Sequence, residues 1–467
     1  MALDEAACDA PRTAYAAFRA GTSRLAGRLA SMMAASRVGH NEGSAAKRMA
    51  GAAFAIRVVS AGILYAGQVL LARWMGRFEF GIYVYAWAWV GFIGMAAPLG
   101  IAYSAQRFIP EYRTRGDFDG LRGFLAGSRV ICLGLGFAAG TAMAGAVLAL
   151  GDRMPDYYVA PLLLAAVTLP IFTVSSVQDS VARAFNWIGL ALVPGFVSHP
   201  LLLLAATCAL YLAGVMVTAT TALAIACVAF LAVVLVQGAL LKRRFAASVP
   251  PGRRRYEPLY WLRTALPLFL VDSFFLMLTY VDTLILQLFV GPGEIAIYYS
   301  ATKTLALVNF IYFAVAAASA HRFSEYHVAG DHDRLARLLA DAMRWTFWPS
   351  LAIGIMLLAL GRPILGLFGP GFVDGYPLMC IMLVGLLARA AMGPSERLLN
   401  MIGEQKICAA IYGTAFVVNL SLCIALIPHF GLFGAAAATA TAVMTESALL
   451  FVVVRRRLDL VRAAAAT

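Results

Sequence analysis

The chain alternates between apolar runs of about 20 residues and short polar or charged gaps. A helix needs about 20 residues to cross the hydrocarbon core of a bilayer, so each run has the length of a membrane span. The pattern predicts twelve membrane-spanning helices. They lie near 49–75, 82–106, 123–150, 158–181, 190–213, 218–241, 264–290, 295–320, 342–361, 376–394, 408–427 and 433–454.

The second six spans repeat residues of the first six. The offset is 215 positions and becomes 214 after one single-residue gap; matched pairs include Gly76 and Gly291, Glu79 and Glu294, Tyr83 and Tyr298, Asp117 and Asp331, and Arg183 and Arg397. Because six is even, both copies start on the same side, which predicts two parallel repeats with a substrate path between the lobes. The alternative is a duplicated scaffold that keeps its symmetry for packing alone.

The predicted organisation is that of an all-α membrane protein with two six-helix lobes and short flanking segments. The segments are 1–48 (a basic cytoplasmic tail or an amphipathic surface helix), 49–241 (the first lobe), 242–263 (a basic cytoplasmic linker), 264–454 (the second lobe) and 455–467 (a cytoplasmic tail). The linker carries Pro250-Pro251-Gly252 between two basic runs, as is typical of a connection between lobes.

Composition supports the bilayer as the solvent of this chain. Hydrophobic residues make up 62% and charged residues 13%, against roughly a quarter charged in soluble domains, which excludes an ordinary soluble enzyme and a disordered chain. The net charge is +13, and most of the basic residues lie in the gaps between spans. They therefore indicate the orientation of the spans in the membrane and do not indicate binding to nucleic acid. The distribution of basic residues predicts a multi-pass membrane protein with both termini in the cytoplasm and with anionic lipids as neighbours.

Motifs for catalysis or for cofactor binding are not found in the sequence. The seven cysteines show no CxxC spacing, and there is no HExxH, GxSxG, P-loop or GxGxxG arrangement that opens a helix. We therefore expect no catalytic residue, no metal and no cofactor, and a protein that is not an enzyme.

Charged residues inside the spans are the candidate functional residues, because an ionised side chain in the bilayer needs a partner, water or a task. The basic candidates for binding substrate are Lys303, Arg57, Arg129 and Arg389, and the acidic candidates for coupling or gating are Asp282, Asp272 and Glu446. Counted from the turn at Pro292, Asp282 and Lys303 lie at the same depth, which predicts an ion pair that lines the cavity. A purely structural pair is the alternative.

The other charged candidates fall into two groups. Arg57 and Asp272 occupy equivalent positions in the two repeats, so they are predicted to meet between the lobes, unless Arg57 snorkels to the interface. Arg129 and Arg389 lie near predicted cytoplasmic ends, where they either snorkel or recruit an anionic group. Glu446, inside the last span, is a candidate for proton or sodium coupling, with hydrogen-bonded packing as its alternative.

Several local motifs resemble the polysaccharide transporter family, the O-antigen flippase type of the multidrug/oligosaccharidyl-lipid/polysaccharide superfamily. They are Tyr65, Gly76, Glu79 and Tyr83 with Arg107-Phe108-Ile109-Pro110-Glu111-Tyr112 in the first half, and Tyr280-Val281-Asp282, Gly291 and Leu367-Phe368-Gly369 in the second. The resemblance implies alternating-access transfer of undecaprenyl-pyrophosphate-linked oligosaccharide from the inner to the outer leaflet, with a polysaccharide polymerase and a ligase as further partners.

Two other functions stay open on the sequence. A multidrug or organic-cation antiporter of the same superfamily would depend on intramembrane carboxylates such as Asp282 and Glu446. A membrane glycosyltransferase or polysaccharide polymerase would need a sizeable extramembrane loop, whereas the predicted outer loops have only about 4 to 14 residues.

Overall fold

The computed structural model describes the backbone of residues 56–465. Side chains are described throughout this range except at Asp152, Pro267, Leu268, Leu270, Val271, Asp272, Phe275 and 457–465. The predicted tail or surface helix at 1–48 lies outside the described residues.

Every regular element of the described range is helical, and ten of its segments are long and apolar enough to cross a membrane. The first, Ile56–Thr114, has 59 residues, or about 88 Å of helix, which is enough for two crossings. Gly76 divides it, because its φ of +74° is incompatible with a continuous α-helix. With this division and the 29-residue helix Pro258–Leu286, the structure accounts for about twelve crossings, in agreement with the sequence.

We number the twelve helices in chain order and call the side on which the first begins the inner side. The helices are α1 (56–75), α2 (77–96, continued by Ile101–Thr114), α3 (Phe118–Ala149), α4 (Asp156–Ala184), α5 (Ile188–Leu212), α6 (Ala219–Ser248), α7 (Pro258–Leu286), α8 (Pro292–Val328), α9 (His332–Ala359), α10 (Phe372–Met392, continued by Ser395–Met401), α11 (Gln405–Phe430) and α12 (Leu432–Ala465).

The first half of the described chain consists of α1–α6 and the second half of α7–α12. The two halves share details of backbone geometry at equivalent positions. Gly116 and Gly330 both have a φ of +68°. The aspartates that follow them, Asp117 and Asp331, cap the next helix by accepting a backbone N–H three residues on, at 2.9 and 3.0 Å. The bond from the Gly120 amide is the main cause that lowers the pKa of Asp117 below its usual value. These paired turns confirm the two parallel repeats that the sequence predicts.

The two halves pack tightly at the outer side. Phe80 of α2 meets Phe372 of the second half edge to face, with ring centroids 6.3 Å apart. The Tyr158 hydroxyl donates a hydrogen bond to Gln287 across the same boundary. Gly81 approaches Pro292 so closely that a Cβ on the glycine would overlap the proline carbonyl oxygen. The outer side is therefore closed in this structure.

We expect Gly81→Ala to separate the halves at the outer side, because the added methyl group meets backbone that cannot rotate away. Spin labels at the exposed residues Phe78 and Val373, one on each half, should lie farther apart in this variant than in its cysteine-free parent. Gly62→Ala is the matched control, since a Cβ there meets nothing within 4 Å. An unchanged label distance in Gly81→Ala would contradict the expectation.

The segment between α6 and α7 is bound to the first half. Arg255 pairs with Asp117 at 2.5 Å, and its amide donates to the Asp119 carbonyl at 3.0 Å. The next residues continue the attachment, since Trp261 at the start of α7 is fully buried and its indole donates to the Tyr112 hydroxyl at 3.1 Å. α7 also packs against α11 of the second half.

Candidate functional site

A cavity of about 570 Å³ lies mainly within the first half and extends from the middle of the membrane toward the inner side. Helices α1, α2, α4, α5 and α6 form most of its wall, and the second half contributes Tyr280 and Lys303. The polar residues of its lining are Gln68, Tyr83, Tyr103, Ser175, Ser176, Asp179, Ser180, Arg183, His199, Tyr280 and Lys303. Such a lining suits a hydrophilic cargo.

Lys303 of α8 marks the deep part of this cavity. Its side chain is exposed to the cavity, and its Nζ lies 4.9 Å from the centroid of the Tyr299 ring, which provides a cation–π contact. Within the described side chains, no carboxylate forms an ion pair with Lys303. The ammonium group therefore has donors that face the cavity and can bind an anion.

Three arginines gather toward the inner side. Arg183, at the end of α4, lines the cavity. The Arg57 guanidinium lies 5.7 Å from the Phe313 ring of the second half, and Arg183 and Arg397 are close enough for their like charges to act on it. In the part of the chain that the structure describes, none of the three forms an ion pair. The arrangement places three positive charges at the inner side of the cavity.

Sequence reasoning missed Arg183 and Arg397 as functional candidates. In the sequence, these two arginines stand out only as matched positions of the repeat, 214 residues apart. Equivalent positions in two parallel repeats are related by the pseudo-twofold axis, so residues near that axis come together. A pair of basic residues at one repeat position is the signal that could have revealed this cluster of arginines.

Part of the cavity wall is aromatic. Trp87 stacks on His199 with ring centroids 5.6 Å apart and planes 8° apart, and Tyr83 stacks on Trp87 at 6.2 Å. His199 follows a π-helical turn at Pro194–Ser198, an irregularity that often occurs at functional sites. Asp179 is the carboxylate among the lining residues, and its Oδ1 accepts a hydrogen bond from Gln237 at 2.7 Å.

The predicted ion pair between Asp282 and Lys303 is not formed in this structure. Asp282 is buried, and its carboxylate accepts hydrogen bonds from the Tyr298 hydroxyl at 2.6 Å and the Thr283 amide at 2.7 Å. α7 ends at Leu286 and the following residues form the turn, so Asp282 lies level with Tyr298, more than one helical turn from Lys303.

Asp282 faces a second cavity of about 290 Å³, lined only by residues of the second half. Arg389 lines the same cavity and lies 3.7 Å from Glu446 and 4.0 Å from Glu396. The structure thus joins two of the predicted candidates, Arg389 and Glu446, whose contact no spacing in the sequence indicates. Arg389 balances the two carboxylates and does not line the large cavity.

The remaining candidates lie apart from the large cavity or outside the described side chains. Arg129 stacks over Phe245 at 5.5 Å and is absent from the cavity wall, so the structure does not place it with Lys303. The side chain of Asp272 lies outside the described set, and its predicted contact with Arg57 stays a prediction.

The fold of this chain is similar to that of solved transporters described as members of the MOP superfamily. An inward-facing multidrug-resistance MATE transporter aligns with a TM-score of 0.69 at 16% identity over 88% of this chain and 96% of its own, and an outward-facing form with 0.63 at the same identity and coverage. The lipid II flippase MurJ, in an inward closed conformation, aligns with 0.69 at 16% identity over 86% and 87%. These matches define the fold class.

Family models give the more particular assignment. The model described as "Polysaccharide biosynthesis protein" matches residues 48–327, more than half of the chain, and the MatE model matches residues 267–425. The chain belongs to the polysaccharide biosynthesis protein family. A search of curated protein sequences found no significant match.

Proposed function

We propose that this protein is a flippase that moves undecaprenyl-pyrophosphate-linked oligosaccharide from the inner to the outer leaflet of the bacterial cytoplasmic membrane. The observation that carries the proposal is the charge of the large cavity. Lys303 and Arg183 line it, Arg57 and Arg397 adjoin its inner side, and Asp179 is the carboxylate on its wall. A cationic cavity lined with hydroxyl groups complements a diphosphate that carries sugars.

The inner arginines receive the diphosphate first. A guanidinium binds phosphate oxygens through paired, charge-assisted hydrogen bonds, and these are stronger than hydrogen bonds between neutral groups. The oligosaccharide enters the polar cavity while the polyprenyl chain stays in the lipid, because its hydrocarbon gains nothing from a hydrophilic wall. Lys303 then holds the diphosphate near the middle of the membrane, and the halves part at Phe80 and Gly81 to release it outside.

The relatives support this proposal at a coarser level. The family is one of polysaccharide biosynthesis, and a lipid II flippase has the same fold. The structural neighbours are transporters, which favours transport over a glycosyltransferase or polymerase reaction. The cavity charge does not favour the multidrug antiporter, since an organic cation would meet Lys303 and Arg183 while Asp179 is engaged by Gln237.

The test is the leaflet distribution of undecaprenyl-pyrophosphate-linked sugar in cells that carry or lack this protein. We expect lipid-linked sugar to accumulate on the cytoplasmic side in its absence and to return to the outer leaflet when the gene is restored. The same assay on lipid II serves as a control for general damage to the membrane. An unchanged leaflet distribution of the lipid-linked sugar would refute the proposal and leave small-molecule export as the function to test.

A further inference from the structure

A second basic cluster lies at the inner end of the first half, apart from the large cavity. Phe185, Trp187 and Phe245 pack against one another, with ring centroids 4.8 to 5.4 Å apart. Each ring carries one guanidinium on its face, namely Arg113 over Phe185 at 5.3 Å, Arg129 over Phe245 at 5.5 Å and Arg244 over Trp187 at 5.4 Å. We call these six residues the arginine–aromatic cluster.

The helices bring these arginines together at one level of the membrane. Arg113 lies in the last turn of α2, Phe185 directly follows α4, and Arg244 precedes the end of α6 by four residues. All three helices end on the inner side, so the cluster lies at the boundary between hydrocarbon and water. Val130, next to Arg129 in α3, is 70% exposed, which shows that this part of α3 faces lipid.

The charges of the cluster have no counter-ion among the described side chains. No ion pair involves Arg113, Arg129 or Arg244 within that set, and the Nε and Nη2 atoms of Arg129 are buried with no hydrogen-bond acceptor among the described residues. The aromatic rings attract the guanidinium charge but accept no conventional N–H hydrogen bond in its plane. Buried N–H donors of a cation are costly unless an acceptor meets them.

We propose that the arginine–aromatic cluster binds the phosphate headgroup of an anionic membrane phospholipid. A phosphodiester supplies the missing acceptor oxygens and the counter-charge, and basic sites between helices at this boundary suit such headgroups. A lipid reaches the cluster from the bilayer beside Val130. None of the three arginines lines the large cavity, so this site is separate from the proposed path of the cargo.

Thermal unfolding of the purified full-length protein with defined lipids tests the site. We expect phosphatidylglycerol to raise the unfolding temperature by several degrees above phosphatidylcholine, because a ligand that binds the folded state stabilises it. In Arg129→Gln, we expect at most half of that gain. Arg254→Gln is the matched control, since Arg254 is an exposed arginine on the same side without a stacked ring, and it should keep the full gain.

Further measurements distinguish a lipid phosphate from a free phosphate ion as the ligand. Inorganic phosphate and diphosphate, at the same concentration as the lipid, should give the wild-type protein little stabilisation. An equal gain from either would overturn the lipid site in favour of a free-anion site. A full phosphatidylglycerol gain in Arg129→Gln would also overturn it. If Arg129→Gln does not fold, the double variant Arg113→Gln/Arg244→Gln takes its place, and a full gain there would equally refute the proposal.

Discussion

Replacing Lys303 by alanine is expected to slow transfer of the lipid-linked sugar by roughly ten- to a hundred-fold while leaving the protein folded. A hydrogen bond to a charged group contributes about 1.5–3 kcal/mol, which corresponds to that range of rates when the bond is lost. Folding should be spared, because no carboxylate among the described side chains pairs with Lys303 and none is left without a counter-charge. The measurement is the leaflet distribution of undecaprenyl-pyrophosphate-linked sugar at matched protein levels.

Two further variants sharpen this prediction. Lys303→Arg keeps the positive charge and should retain most of the transfer. Lys406→Ala removes a lysine at the start of α11, away from the cavity wall, and should transport at the wild-type rate. Normal transfer by a folded Lys303→Ala protein would remove Lys303 from the proposed site. The proposed flippase function would still be supported if cells that lack the protein accumulate lipid-linked sugar on the cytoplasmic side.

Removal of Arg389 is expected to cost about 3–5 kcal/mol of stability, the usual loss when one partner of a buried ion pair is deleted. Glu446 is 1% exposed and lies 3.7 Å from Arg389, so Arg389→Leu leaves this carboxylate uncompensated inside the second half. The double variant Arg389→Leu/Glu446→Leu should regain part of the loss, because it removes the more deeply buried of the two carboxylates that Arg389 balances and leaves Glu396, which is 18% exposed. Equilibrium unfolding in detergent measures both.

The control for this prediction is an ion pair on the surface. Arg334 pairs with Asp331 at 3.1 Å, but the two side chains are 65% and 36% exposed. Solvent screens such a pair, so Arg334→Leu should change stability by less than about 1 kcal/mol. A loss in Arg389→Leu no larger than this value would contradict the assignment of Arg389 as the counter-charge of Glu446.

Most of the fold could be predicted from the sequence, because the bilayer constrains a chain strongly. Each span must satisfy its own backbone hydrogen bonds, so apolar length alone locates the helices. The duplicated positions then gave the parallel arrangement, and the paired turns at Gly116 and Gly330 have the same backbone geometry in the structure. The fused segment Ile56–Thr114 illustrates the remaining uncertainty, since only the φ of Gly76 reveals where one crossing ends.

The candidate site was less accessible from the sequence, because it depends on distances between helices. The depth of Asp282 in the membrane cannot be counted from Pro292 at the helical rise, because the residues after Leu286 form a turn and not a helix. The contact between Arg389 and Glu446 joins α10 to α12, and no spacing within one helix reports such a neighbour. Arg183 and Arg397 were visible as a repeat, but their convergence on Arg57 appears only once the two halves are packed.

The attachment of the segment before α7 determines where the molecule can bend. Because Arg255 and Trp261 bind this segment to the first half, the connection between the two halves is not a flexible linker. The same helix also packs against α11 of the second half. Any rotation between the halves must therefore strain α7 itself, because both halves hold this helix, and the range of rocking is limited by how far α7 can bend.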